Sequence, residues 1–67
     1  MNLREVMKER RKILALSQND LSEMAGVSLA TIKDIERGSG NPSLSTVSRI
    51  VDVLGMEITY TIKHTVL

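Results

Sequence analysis

The 67-residue chain contains no cysteine, no tryptophan and no phenylalanine, and only one tyrosine. The missing cysteines exclude disulfides and thiol nucleophiles. Tetrahedral zinc is excluded almost as firmly, since His64 is the one nitrogen ligand in the chain. No run approaches the roughly 20 apolar residues of a membrane span. No apolar stretch follows the early basic residues, so a secretory leader is not expected. These absences suggest a cytoplasmic protein without membrane, metal or cofactor. At this length a chain buries only about 60% of its unfolded surface, which makes a marginal core. With disulfides and metal gone, association with a second copy is the remaining support.

The formal net charge is only +1, too little for a purely electrostatic coat on nucleic acid. Its distribution is uneven. Residues 1–12 carry five basic and two acidic side chains, and the remainder carries four basic and six acidic.

What is present is helical periodicity broken by glycine. Leu3, Met7, Arg10 or Arg11, and Leu14 mark one face of a helix over about residues 2–14. Ser17 reads as an N-cap, with Asp20 at the capping-box position of a second helix, Gln18–Ala25, and Gly26 as its stop. Ser28 caps a third helix, Leu29–Arg37, with Ile32 and Ile35 inward and Gly38 ending it. Ser43 caps a fourth, Leu44–Leu54, with an inward stripe of Leu44, Val47, Ile50, Val51 and Leu54. After Gly55 the period changes to two. Ile58, Tyr60 and Ile62 alternate with Glu57, Thr59, Thr61 and Lys63, the pattern of a half-buried strand.

Two short helices joined through Ala25-Gly26-Val27 form a helix-turn-helix arrangement. The run Leu16-Ser17-Gln18-x-x-Leu21-x-x-x-Ala25-Gly26-Val27-Ser28-x-x-Thr31-Ile32-x-x-Ile35-Glu36-Arg37-Gly38 resembles the Cro and lambda-repressor (Xre-like) family of DNA-binding domains. Asn41-Pro42-Ser43-Leu44 and Leu54-Gly55 extend the resemblance to about residues 3–55. It implies a mainly α fold, a bundle of four to five helices over residues 1–55, to which the alternating pattern adds a strand over 56–67. It also implies sequence-specific binding of double-stranded DNA by a transcriptional regulator, probing the major groove with the third helix. The implied base-reading residues are Ser28, Leu29, Ala30, Lys33 and Asp34. The implied phosphate contacts are Ser17, Gln18, Thr31, Arg37, Ser39 and Asn41. Arg11 and Glu36 are implied to pair structurally across the first and third helices.

Each assignment has a plainer alternative. Ser17 and Ser28 serve equally as caps, and the lesser alternative for Lys33 and Arg37 is plain solvated helix charge. Arg4, Lys8 and Lys12 belong to a basic face open to flanking phosphates. Relatives often carry Gln or Asn at the positions of Leu29 and Ala30, whose amides pair with adenine. Leu29 and Ala30 can offer only apolar contact to a thymine methyl, while Lys33 suits guanine and Asp34 suits cytosine. A reader of this composition leans on DNA shape and backbone contacts.

A lone strand cannot satisfy its own backbone groups. The economical solution is the same strand from a second copy, antiparallel about a twofold axis, through Ile58, Tyr60 and Ile62. A helix-turn-helix followed by such a strand resembles the HipB-type antitoxins, which implies autorepression and a HipA-like kinase toxin as a further partner. With nothing after Leu67 to sense a ligand, the chain reads as a stand-alone autorepressor. The alternative is an antitoxin whose main work is masking a toxin, with Val6, Ile13 and Met24 as its apolar patch. An enzyme has no support: His64 has no motif-placed Ser or acidic partner, and no phosphate loop is present.

Overall fold

The computed structural model describes residues 2–64. Four helices are present among them: α1 (Leu3–Leu14), α2 (Gln18–Ala25), α3 (Leu29–Arg37) and α4 (Leu44–Val53). This is the lower end of the expected four to five. No helix of the described residues is long and apolar enough to cross a membrane.

Each start has a side-chain cap. Asn2, Ser17, Ser28 and Ser43 accept from the backbone N–H three residues on, satisfying a donor that has no intrahelical partner. At α2 the box is reciprocal: Ser17 Oγ accepts from Asp20 N, and Asp20 Oδ2 accepts from Ser17 N, both at 2.9 Å. The turn between α2 and α3 needs a left-handed residue, supplied by Gly26 at φ 66°. Arg49 of α4 lies at the same turn, with Nη1 3.5 Å from the Gly26 carbonyl oxygen. α1 ends without glycine. Ala15 takes the left-handed conformation at φ 56°, its N–H directed to the carbonyls of Arg11 and Lys12.

α1 packs on α3, and α2 packs on both α3 and α4. The core joins Met7, Leu21, Ala25, Ile32, Ile35, Ile50 and Leu54, with Leu3, Leu16, Val27, Val53 and Met56 against its edge. It is aliphatic, as the composition requires. Met7, Leu21, Ile32, Ile50 and Leu54 are fully buried, and burial of each such side chain contributes about 1.5–3 kcal/mol. Methionine at the centre suits a core with no aromatic rings, because its flexible thioether fills irregular space.

Three expectations are corrected. Leu14 and Leu44, assigned inward, are exposed; each lies at a helix end, where the chain has not yet joined the core or has already left it. Leu54 lies just past α4, as its C-cap. The strand is not formed: residues 56–64 have no regular secondary structure. A strand exists only through ladder bonds to a neighbour, and four helices supply none. Its predicted inward residues part company. Ile58 is half-buried beside α4, whereas Tyr60 and Ile62 are exposed rather than covering the helices. The last part of that segment, residues 65–67, lies outside the described residues.

Candidate nucleic-acid interface

α3 is amphipathic in the way a groove-reading helix must be. Ile32, Ile35 and Glu36 are buried, which fixes one face against the bundle. The helical period then turns Ala30, Lys33, Asp34 and Arg37 to the opposite face; Ala30, Lys33 and Arg37 are exposed and Asp34 is half-buried.

The helix is held from behind by an ion pair. Arg11 Nε donates to Glu36 Oε2 at 2.7 Å, and Arg11 Nη2 donates to Glu36 Oε1 at 2.6 Å. Arg11 Nη1 also donates to the Leu16 carbonyl at 3.0 Å. The bidentate geometry ties α1 to α3 and to the entry of α2 at once. The Glu36 hydrogen bond holds the Arg11 guanidinium above its ordinary pKa; burial opposes this, and the Coulombic attraction of Glu36 adds to it.

Around this pair six of the predicted DNA-contact residues fall into two groups. Gln18 and Lys33 line one depression with Glu36, Arg37 and Lys8. Lys8 was one of three open options in the sequence; its position beside Lys33 sets it at the candidate site. Thr31, Asp34 and Asn41 line a second depression with Ile35, Gly40, Pro42 and Thr46. Helix α3 runs between the two.

Several of these groups are already engaged. Gln18 Nε2 donates to Glu36 Oε1 at 3.3 Å, so its amide leans toward the buried carboxylate as well as toward solvent. The Ser28 hydroxyl accepts from Thr31 N at 3.1 Å and lies 2.8 Å from Thr31 Oγ1. Ser17 is occupied as a cap. Ser39 Oγ donates to the Asp34 carbonyl at 3.2 Å. Arg37 and Asp34 form an exposed ion pair one turn apart. The N–H groups of Gln18 and Asn19 lie in the first turn of α2, where no intrahelical acceptor exists, and they carry the partial positive charge of a helix start. Leu29 is half-buried at the flank.

Arg10 is a cation that the sequence left undecided. Its Nε donates to the Leu54 carbonyl at 3.0 Å, capping the end of α4 and withdrawing it from any surface role. The family resemblance singles out Arg11 for Glu36 but assigns Arg10 no role; the packing of α4 supplies it.

Comparison with known proteins agrees with this geometry. A model of the Helix-turn-helix family matches residues 7–60. An uncharacterized HTH-type transcriptional regulator of Methanothermobacter thermautotrophicus is 42% identical over 55 residues, covering 82% of this chain and 80% of that protein. The immunity repressor protein of Bacillus phage phi105 is 38% identical over 58 residues, 87% of this chain and 40% of the repressor. An HTH-type transcriptional regulator of Deinococcus deserti is 33% identical over 58 residues, 87% of this chain and 45% of that regulator. The chain thus spans most of the archaeal relative and less than half of the other two. With its bent helix pair, left-handed Gly26 and buried arginine–glutamate brace all inside the matched span, this chain belongs to the helix-turn-helix family.

Proposed function

We propose that this chain is a sequence-specific, double-stranded-DNA-binding transcriptional regulator that acts as a repressor. The carrying observation is α3 itself: one face locked by Ile32, Ile35 and Glu36, the other presenting Ala30, Lys33 and Arg37 to solvent. In this reading α3 enters the major groove with Ser28, Leu29, Ala30, Lys33 and Asp34 at base edges. Gln18 and the start of α2 meet a phosphate from one side. Thr31, Arg37, Ser39 and Asn41 meet the backbone from the other, with Ser17 serving α2 as a cap. Regulators and a phage immunity repressor among the relatives support the assignment.

The repressor acts as a homodimer through residues 56–67. Tyr60 and Ile62 are 80% and 99% exposed, a cost to a small monomer that a twofold strand pair removes. Ile62→Glu leaves the helical bundle intact and shifts sedimentation from dimer to monomer; a dimer that survives the change excludes the tail as its cause. Binding-site selection from random duplexes tests the function. It returns an inverted repeat with half-sites about one helical turn apart. Recovery of unenriched sequence excludes the reading.

An antitoxin role is the second reading, favoured by one observation: Ile13 and Met24 are 62% and 60% exposed. Stoichiometric recovery of a kinase-type toxin with the native chain supports it, and recovery of operator DNA alone excludes it.

A further inference from the structure

We propose that Arg4 is an additional DNA-phosphate ligand, which extends the duplex-contacting surface onto the first turn of α1. The inference rests on the DNA-binding reading and adds a residue to it. Arg4 lies across the end of α3. Its Nη1 is 2.8 Å from the point a Cβ on Gly38 would occupy, with Cδ at 3.5 Å and Cζ at 3.7 Å. The guanidinium can lie there because residue 38 has no side chain. The C-terminal end of α3 carries partial negative charge, which attracts the cation without consuming its N–H groups.

The other arginines are committed. Arg10 donates to the Leu54 carbonyl, Arg11 to Glu36, Arg37 to Asp34, and Arg49 to the Gly26 carbonyl. Among the described residues Arg4 has neither a carboxylate partner nor a hydrogen bond. A planar fork of donors, lying against the end of α3 and unpaired among the described residues, matches the geometry of phosphate recognition. Its position fits as well. Arg4 shares a depression with Ser39, Gly40 and Pro42, in the loop that follows α3. Arg4 also stands one helical turn before Lys8, which lines the depression of Gln18, Lys33 and Arg37. The two cations form a row along α1, beside the exposed face of α3. Arg37, the cation proposed for phosphate at this end of α3, also pairs with Asp34, which leaves it fewer free donors.

The test uses the full chain, its Arg4→Gln and Arg4→Lys variants, a mixed-sequence duplex and a duplex recovered by selection. Affinity is measured against KCl concentration, and thermal unfolding is followed in parallel. Arg4→Gln is expected to weaken both duplexes by the same factor and to lower the slope of log affinity against log salt by about 0.9 per protomer. Arg4→Lys keeps that slope, and the unfolding temperature of Arg4→Gln stays close to that of the parent. A parent that binds duplex while Arg4→Gln retains its full salt slope overturns the proposal. So does a loss of affinity that simply tracks a loss of stability. If the parent binds neither duplex, the DNA-binding reading itself fails and Arg4 loses its role with it.

Discussion

Arg11 and Glu36, 25 positions apart in sequence, form a two-pronged ion pair in which the Glu36 side chain is only 2% exposed. The pair is the one charged brace between α1 and α3 among the described residues, and it sets how α3 stands out from the bundle. Glu36→Gln keeps the shape and removes the charge, leaving a part-buried guanidinium with weaker acceptors. The expected loss is about 3 kcal/mol, at the lower end for breaking a buried pair because Arg11 retains some water and the Leu16 carbonyl. Urea unfolding of the two proteins measures it; a loss within error shows that α3 is held by its aliphatic face alone.

Ala15 and Gly26 occupy the same left-handed region with opposite consequences. Ala15 adopts it at φ 56° against the preference of an L-residue, and Gly26 adopts it at φ 66° without penalty. Ala15→Gly is expected to stabilise the chain by about 0.5–1 kcal/mol. Gly26→Ala is expected to destabilise it by about 1 kcal/mol. Open space surrounds the added methyl at residue 26, so the penalty is purely conformational. Chemical denaturation of both variants checks the pair of signs, and equal signs contradict the conformational argument.

The Asp20 carboxylate accepts a hydrogen bond from the Ser17 backbone N–H, which, together with the adjoining Ser17 side chain, holds its carboxyl below the ordinary value of 3.8. A folded-state pKa lowered in this way contributes stability that is present above the unfolded value and lost as pH falls through the folded one. Acidification below about pH 4 is therefore expected to loosen the start of α2. Asp20→Asn, which keeps the shape of the box without the charge, flattens that part of the stability–pH curve. An unchanged acid limb in Asp20→Asn excludes the capping box as a source of pH dependence.

Much of this architecture was legible because local chemistry wrote it. Ser17, Ser28 and Ser43 mark helix starts whatever the tertiary structure, and Gly26 and Gly38 mark stops. The end of α1 at Leu14 followed from the apolar spacing alone, since Ala15 carries no such mark; its left-handed turn is closed by local bonds to the Arg11 and Lys12 carbonyls. Arg11 was legible through the resemblance, which implies its pairing with Glu36, whereas the places of Arg4 and Arg10 were hidden, because similar side chains are sorted by what packs behind them. Arg10 goes to a carbonyl at the end of α4, Arg11 to a buried carboxylate, and Arg4 to the bare backbone of Gly38. Residues 56–64 of the tail stay irregular in the single chain. Alternating Ile58, Tyr60 and Ile62 gives a strand period, yet period alone cannot supply the neighbour that a strand requires.

In the proposed mode of binding, the exposed face of α3 contacts the bases of a duplex. Ala30 tests it most directly, because it is exposed at the middle of that face and supports nothing in the core. Fluorescence anisotropy with the duplex recovered by selection is the measurement, on the parent chain and on Ala30→Glu, with unfolding followed alongside. The parent is expected to bind tightly and salt-sensitively, and Ala30→Glu to lose about tenfold or more in affinity at unchanged stability, as a carboxylate is driven against the groove. Equal affinity of the two proteins for that duplex contradicts that mode of binding.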